Sequence, residues 1–369
     1  MTPSLTKAQC TALVVMVISP TALLIVPKTV MGYVAQDAWI SLILSACAAF
    51  IAAWMLGRFA AEAKSGVPFP KWLNESSVRY LSPVAGLLLA AYYYSVASTS
   101  LHEFTTFISV EVLGTTPKIV LKGVAVLVLM YAAAKGIAPI ARISFLVLAA
   151  SGPLFLLSTL LLLNIMNWHK ILPIADHAWN RILLGGITPL GWFSEVAIVL
   201  LLAPHMLRPK EVTSSAVWGV ALVGIELTVT VLQALFVFGP NLVQSMEYSS
   251  FELVGLIEVG NFIERVEAFF FAFWMMTAFL KLSLFFYGAI HLLETTLKLP
   301  FSRSPLLVAM GMLLWLDTAF SWPHDMNQDL TTNTNTVVLL VFNLALPIAL
   351  AALYWLAGGT KPSKGGSDA

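Results

Sequence analysis

Ten segments of the chain are long and apolar enough to cross a lipid bilayer, and this feature limits the fold more than any other. A helix that spans the hydrocarbon needs about 20 mostly apolar residues. Only 11% of the residues are charged, against about 25% in soluble domains. The sequence therefore predicts an all-α polytopic membrane protein with about ten transmembrane helices. The predicted spans are residues 8–27, 37–57, 82–110, 119–134, 139–166, 186–203, 212–239, 262–292, 304–320 and 336–357.

The connections between the spans predict their orientation. Lys and Arg are about twice as frequent on one side of the predicted bilayer as on the other, and cytoplasmic loops normally carry this excess. An even number of crossings places both termini on that side, so both are predicted to be cytoplasmic. The net charge is +1, which offers no broad basic surface to a nucleic acid. The composition thus predicts the lipid bilayer as a partner and no nucleic acid.

The spans divide into two halves of five. Residues 1–357 are predicted to form a single transmembrane domain, in which 8–166 and 186–357 are the two repeats. The polar residues 358–369 are predicted to be a disordered cytoplasmic tail. Because five is an odd number, the second half would insert with the opposite topology to the first.

Helix-breaking residues occur at matching positions of the two halves. The first span contains Ser19-Pro20-Thr21, and the sixth contains Gly185, Gly186, Pro189 and Gly191. Such residues weaken a membrane helix and persist where the backbone faces protein or a water-filled cavity. Matched interruptions in two halves are typical of the binding sites of secondary transporters. They predict a LeuT-like 5+5 inverted repeat in which helices 1 and 6 are broken.

Short motifs along nearly the whole chain resemble one known family. Their order and spacing are similar to those in the B subunits of bacterial spore-germination nutrient receptors, a branch of the amino acid/polyamine/organocation transporter superfamily. The motifs are Gln36-Asp37-Ala38-Trp39-Ile40, Thr115-Thr116-Pro117, Ala138-Pro139-Ile140-Ala141-Arg142 and Phe262-Ile263-Glu264-Arg265-Val266-Glu267, the last followed by Trp274.

The resemblance implies more than the motifs themselves show. It implies a LeuT-like fold, a location in the spore inner membrane and two other receptor subunits as partners. It also implies that the protein senses a germinant, commonly an amino acid, without necessarily transporting it.

The two broken helices predict where a ligand would bind. Free helix ends offer N–H groups to a carboxylate and C=O groups to an ammonium, which suits a small amino acid. In the third span, at least one of three consecutive tyrosines must face the bundle, and the sequence does not say which. The alternative is that Pro20 only kinks a packed helix. The candidate ligand-binding residues are Ser19, Pro20, Thr21, Tyr93, Tyr94, Ser98, Gly191, Trp192, Phe193 and Ser194.

Three charged residues lie near the middle of predicted spans. Glu195, Glu226 and Lys281 would each be costly in the membrane unless they face inward and pair. One interpretation is a structural Glu–Lys ion pair that holds helices together. The other is that Lys281 replaces a coupling cation, since the resemblance places a sodium site of LeuT-like transporters between helices 1 and 8.

The second interpretation predicts that ligand binding is independent of sodium. Binding by the purified protein should have the same affinity in sodium and in choline buffers, because a resident ammonium already supplies the positive charge. Binding that sodium stimulates would contradict this role for Lys281.

Three functions agree with the sequence. The first is a germinant receptor subunit that senses a small amino acid and signals to its partner subunits. The second is a proton-coupled or facilitative amino-acid transporter, and the third is a ligand-gated water or ion pathway. An enzyme is disfavoured because no span carries a nucleophile–base set. Cys10, Cys47 and the histidines lack metal-site spacing, so neither a metal nor a cofactor is expected.

Overall fold

The structure is a computed structural model that describes residues 4–257, 266–298, 303–321 and 335–358. Within these ranges the chain forms ten long helices, joined by short helices and turns. The long helices are α1 (Lys7–Val34), α2 (Ala38–Ala61), α3 (Ser82–Glu111), α4 (Lys118–Lys135), α5 (Ile137–Leu162), α6 (Trp179–Phe193), α7 (Val212–Val237), α8 (Val266–Leu297), α9 (Arg303–Phe320) and α10 (Asn335–Leu356).

The predicted all-α architecture is confirmed. Among the described residues, seven continuous helical runs are long and apolar enough to span a membrane, and the first of them, Lys7–Ala61, contains both α1 and α2. The remaining two long helices are α4, which carries three lysines, and α9, whose apolar part is short. The predicted residues 262–265 before α8 and the predicted tail from residue 359 onward lie outside the described residues.

The helices alternate in direction between two faces of the bundle. We call the face that holds Lys7 and Leu356 the termini face, and the opposite one, which holds Val34 and Trp179, the distal face. On the termini face, Leu5 pairs with Met206 in an isolated parallel bridge. This bridge ties the start of the chain to the segment that follows the sixth span.

The centre of the bundle is α1, which packs against α2, α5, α6, α7 and α8. Most of its residues from Cys10 to Val34 are buried. A helix that is apolar on all sides belongs in the interior, and α1 has this character. By contrast, α5 buries few residues along its length, and most of its apolar side chains face outward, where lipid would lie.

The expected break in helix 1 is not present, because α1 runs as one α-helix through Pro20 and Pro27. Each proline removes one backbone donor, and the surrounding helices supply donors to this part of α1. Pro27 leaves the Leu23 carbonyl without its helical partner, and the hydroxyl of Ser250 donates to that oxygen at 2.5 Å. The prediction of a broken helix 1 is therefore corrected to a continuous helix, in which a neighbouring segment satisfies the carbonyl that Pro27 frees.

The sixth span does leave α-helical geometry. After α6 the chain forms a 3-10 helix over Ser194–Ile198 and then a short α-helical turn, Val199–Leu202. The two glycines that suggested a break earlier in this span lie inside α6, where they allow α2 to approach. Ser41 and Ser45 of α2 donate to the carbonyls of Ile182 and Gly186 at 2.7 and 2.6 Å. The glycines thus serve helix packing, as small residues commonly do in membranes.

Asp37, in the turn between α1 and α2, holds a connection on the distal face. Its buried carboxylate accepts the backbone N–H groups of Ala175 at 2.7 Å and of His177 at 3.0 Å. Oδ2 also lies 2.9 Å from Nδ1 of His177. The turn after α1 thereby fixes the segment that leads into α6.

Replacement of Asp37 by Ala should destabilise the protein. The change removes the acceptor of the backbone N–H groups of Ala175 and His177, and each such hydrogen bond contributes about 0.5–1.5 kcal/mol. A lower thermal midpoint in detergent is expected. Asp176→Ala, which removes an exposed carboxylate from the same connection, is the matched control and should have little effect. An equal loss in both variants would contradict the anchoring role.

Candidate functional site

The structure contains a cavity of about 210 Å³ between α1, α3, α8, α10 and the end of the sixth span, which we call the central cavity. It extends to Lys28 and Glu247 on the distal face. Its walls combine aromatic rings with hydroxyl and charged groups, as small-molecule sites do. Its lining includes Thr21, Tyr92, Ser95, Thr99, Glu103, Trp192, Glu195, Trp274, Lys281 and Leu339.

A buried ion pair lies at this cavity. The ammonium of Lys281 donates to Oε2 of Glu195 at 2.8 Å, and their side chains are only 3% and 1% exposed. Glu195 lies in the first turn of the 3-10 segment, whereas Lys281 lies midway along α8. Of the two glutamates that the sequence offered, Glu195 is the one beside Lys281, and the pair links the irregular part of the sixth span to α8.

The third predicted member of the charge network lies elsewhere. Glu226 of α7 accepts the hydroxyl of Ser19 at 2.7 Å and lines a second cavity of about 480 Å³ between α1, α5, α7 and α8. The expectation that Glu226 joins Glu195 and Lys281 is therefore corrected, because α7 meets α1 on the side away from the central cavity. Trp274 lines both cavities, so it lies between them.

The candidate residues on helices 1 and 6 divide between these places. Thr21 and Trp192 line the central cavity, whereas Ser19 and Pro20 line the second one. Of the others, Gly191 faces α10: a Cβ on it would lie 3.2 Å from Cγ2 of Thr336.

Phe193 and Ser194 are buried beneath the central cavity lining. The hydroxyl of Ser194 donates to the carbonyl of Gly191 and closes the last turn of α6. Phe193 and Ser194 thus pack behind the residues that line the cavity. Their predicted contact with a ligand stays a prediction.

The three tyrosines of α3 point in three directions. Successive residues of a helix are rotated by about 100°, so consecutive rings cannot share a wall. Tyr92 lines the central cavity, whereas Tyr93 packs edge-on against Phe285 of α8. Tyr94 and Ser98 donate to Oδ2 of Asp317 on α9 at 3.3 and 2.7 Å. The residue that faces the site is therefore Tyr92, which was not among the candidates.

The sequence analysis also missed Asn343. This buried residue lies in a π-helical stretch of α10, Val341–Ala345. Its side-chain amide donates to the hydroxyls of Tyr92 at 2.6 Å and Ser194 at 3.3 Å. A polar amide inside an apolar span was the available signal, since such residues face the bundle and form hydrogen bonds. Asn343 joins α3, α10 and the sixth span behind the cavity.

Comparisons with known proteins identify the family and the fold of the chain. The spore germination protein family matches residues 4–328 of the chain. The chain belongs to this family. Spore germination protein YndE of Bacillus subtilis (strain 168) is 22% identical over 365 residues, which cover 98% of this chain and 99% of YndE. Spore germination protein KB of the same organism is 24% identical over 360 residues, or 93% of each chain. The family that the motifs indicated is confirmed.

The fold is that of LeuT-like transporters. The crystal structure of MhsT in complex with L-phenylalanine is similar with a TM-score of 0.66, over 96% of this chain and 90% of that one. The two sequences are only 12% identical, so this likeness concerns the fold alone. Family and fold together identify a multi-pass membrane protein of the receptor and permease type.

The ion pair predicts a non-additive response to mutation. Glu195→Gln or Lys281→Met alone should lower the free energy of unfolding by about 3–5 kcal/mol, because the remaining charge is buried without a partner. The double variant should lose less free energy of unfolding than the sum of the two single losses, as measured by unfolding of the detergent-solubilised protein.

Lys64→Met provides the control for this experiment. Lys64 forms an exposed ion pair with Glu75 at 3.4 Å, and loss of such a pair changes stability by about 0–1 kcal/mol. Additive losses for Glu195 and Lys281 would show that the two charges do not stabilise each other.

Proposed function

We propose that this protein is the membrane subunit of a spore germinant receptor that binds a small amino acid in its central cavity and signals to two other subunits. The proposal places it in the spore inner membrane with the termini face toward the cytoplasm. The observation that carries it is the central cavity, which combines apolar rings with side chains of both charges. Family membership supplies the physiological setting.

The size of the cavity supports a small ligand. Its volume of about 210 Å³ is below the roughly 300–1,000 Å³ of clefts that hold drug-sized molecules. Trp192, Tyr92 and Phe104 present apolar surface, while Ser95 and Thr99 present hydroxyl groups. This lining favours a small or apolar side chain over a large polar one.

The position of the cavity supports signalling. Its lining comes from α1, α3, α8, α10 and the sixth span, so a ligand there contacts both predicted halves of the bundle. A ligand shifts a conformational equilibrium only when it binds one arrangement more tightly than another. A site between helices provides this difference, because small movements of the helices change every contact at once. Partner subunits on the outer surface of the bundle would sense that movement.

A pair of matched substitutions tests which cavity binds the ligand. Ser95→Phe places a ring in the central cavity, and Ser151→Phe places one in the second cavity. Binding of radiolabelled alanine and other small amino acids would be measured on the full chain in nanodiscs, alone and with the co-purified receptor subunits. We expect Ser95→Phe to weaken binding at least tenfold and Ser151→Phe to leave it nearly unchanged.

Two outcomes would overturn the proposal. One is saturable binding that Ser95→Phe leaves intact, which would move the site away from the central cavity. The other is the absence of amino-acid binding by the correctly folded chain both alone and with its partner subunits.

The fold supports a second candidate function, a proton-coupled or facilitative amino-acid carrier. The similarity to MhsT extends over nearly the whole chain, and a LeuT-like bundle can open its central site to either side. Uptake into liposomes under proton and sodium gradients distinguishes the candidates. Saturable uptake that Ser95→Phe abolishes would make transport the primary function, whereas binding without uptake favours the receptor.

A further inference from the structure

Two side chains of opposite charge line the central cavity without a hydrogen-bond or ion-pair partner among the described residues. Glu103 of α3 and Lys28 of α1 both contribute to its walls. No hydrogen bond or ion pair joins either of them to another described residue. The charges of Glu195 and Lys281, in contrast, already neutralise each other at 2.8 Å. Glu103 and Lys28 are therefore two charges of opposite sign that this cavity can offer to a ligand.

The two residues lie at similar depth in the bundle. Lys28 precedes the distal end of α1, Val34, by six residues, and Glu103 precedes the distal end of α3, Glu111, by eight. At 1.5 Å per residue, they lie about 9 and 12 Å below those helix ends. Both are therefore in the distal half of the cavity, above the ion pair that lies midway along α8. A ligand entering from the distal face meets them before it reaches Lys281.

A charged side chain at this depth needs compensation. Charged groups inside a membrane bundle are rare and normally pair with one another, and charged residues that line a cavity mark the path of a substrate or ion. The continuous helix α1 strengthens this argument. Because α1 does not unwind at Pro20, it does not offer the free helix ends that would otherwise bind the charges of an amino acid. On the α1 side of the cavity, side chains must then supply that recognition.

We propose that Glu103 binds the ammonium group of the amino-acid ligand and that Lys28 binds its carboxylate. This inference rests on the function proposed above and deepens it by naming the side chains that recognise the two charged groups of the ligand. Each contact is a charge-assisted hydrogen bond, which is shorter and stronger than a neutral one. The apolar rings deeper in the cavity remain available for the side chain of the ligand.

The assignment predicts that each variant weakens only those probes that carry the charged group it recognises. A merely structural role for Glu103 and Lys28 does not predict this crossed pattern. Competition against radiolabelled alanine would be measured with three probes: alanine itself, alaninamide, which lacks the carboxylate, and propionate, which lacks the ammonium. Glu103→Gln should weaken the binding of alanine and of alaninamide at least tenfold, which corresponds to about 1.4 kcal/mol. It should leave the affinity for propionate within about twofold of the native value. Lys28→Met should weaken the binding of alanine and of propionate at least tenfold and leave the affinity for alaninamide within about twofold.

Conservative and distant variants complete the experiment. Lys28→Arg keeps the positive charge and should retain most of the affinity for alanine. Glu252→Gln and Lys118→Gln change exposed charges near the distal face that lie outside the cavity lining, and they should bind all three probes as the native chain does.

The outcomes separate this inference from the proposed function. If the native chain binds alanine but Glu103→Gln and Lys28→Met weaken all three probes equally, or none of them, the inference is overturned and amino-acid sensing stands. If the native chain binds no small amino acid, the proposed function fails and the inference fails with it. Only the crossed pattern supports the assignment of Glu103 and Lys28.

Discussion

The hydrocarbon core provides no water to a polar group, and the architecture of this protein depends on how its buried polar groups find partners. The Lys281–Glu195 pair is the strongest example, since each residue alone would be a buried charge. Backbone groups follow the same rule. Ser250 satisfies a carbonyl that Pro27 leaves without its helical donor, and Ser45 donates to a carbonyl of α6. These contacts come from other helices, so they also hold the bundle together.

The same rule explains the form of the candidate site. The helix α1 stays helical past Pro20, so it lends the site side chains instead of exposed backbone. The sixth span changes geometry at Ser194, where Asn343 and Glu195 belong to a hydrogen-bonded framework behind the cavity. Under the proposed function, this framework leaves the distal part of the cavity to discriminate among ligands, and ligand occupancy would be sensed through the relative positions of α1, α3 and α8.

Particular residues show which features of the candidate site could be predicted from the sequence. A Glu–Lys pair could be expected, because isolated charges inside membrane spans must pair. The orientation of Tyr92, Tyr93 and Tyr94 could not, because a helix that is apolar nearly all round has no polar face to indicate which side meets the cavity. Likewise, Glu226 was equally plausible as a partner of Lys281, and only the packing of α7 against α1 assigns it to Ser19 instead.

By itself the sequence determined the all-α membrane architecture, the order of the spans and the family, because apolar length and ordered motifs are local properties of a chain. The tertiary structure alone decided that α1 is continuous, that Gly186 serves packing and that Tyr92 faces the cavity. Each of these depends on partners contributed by other helices, often more than 100 residues away, such as Asn343 for Tyr92. A proline or glycine in the sequence indicates only that a helix can be interrupted. Whether the helix is interrupted depends on the groups that surround it.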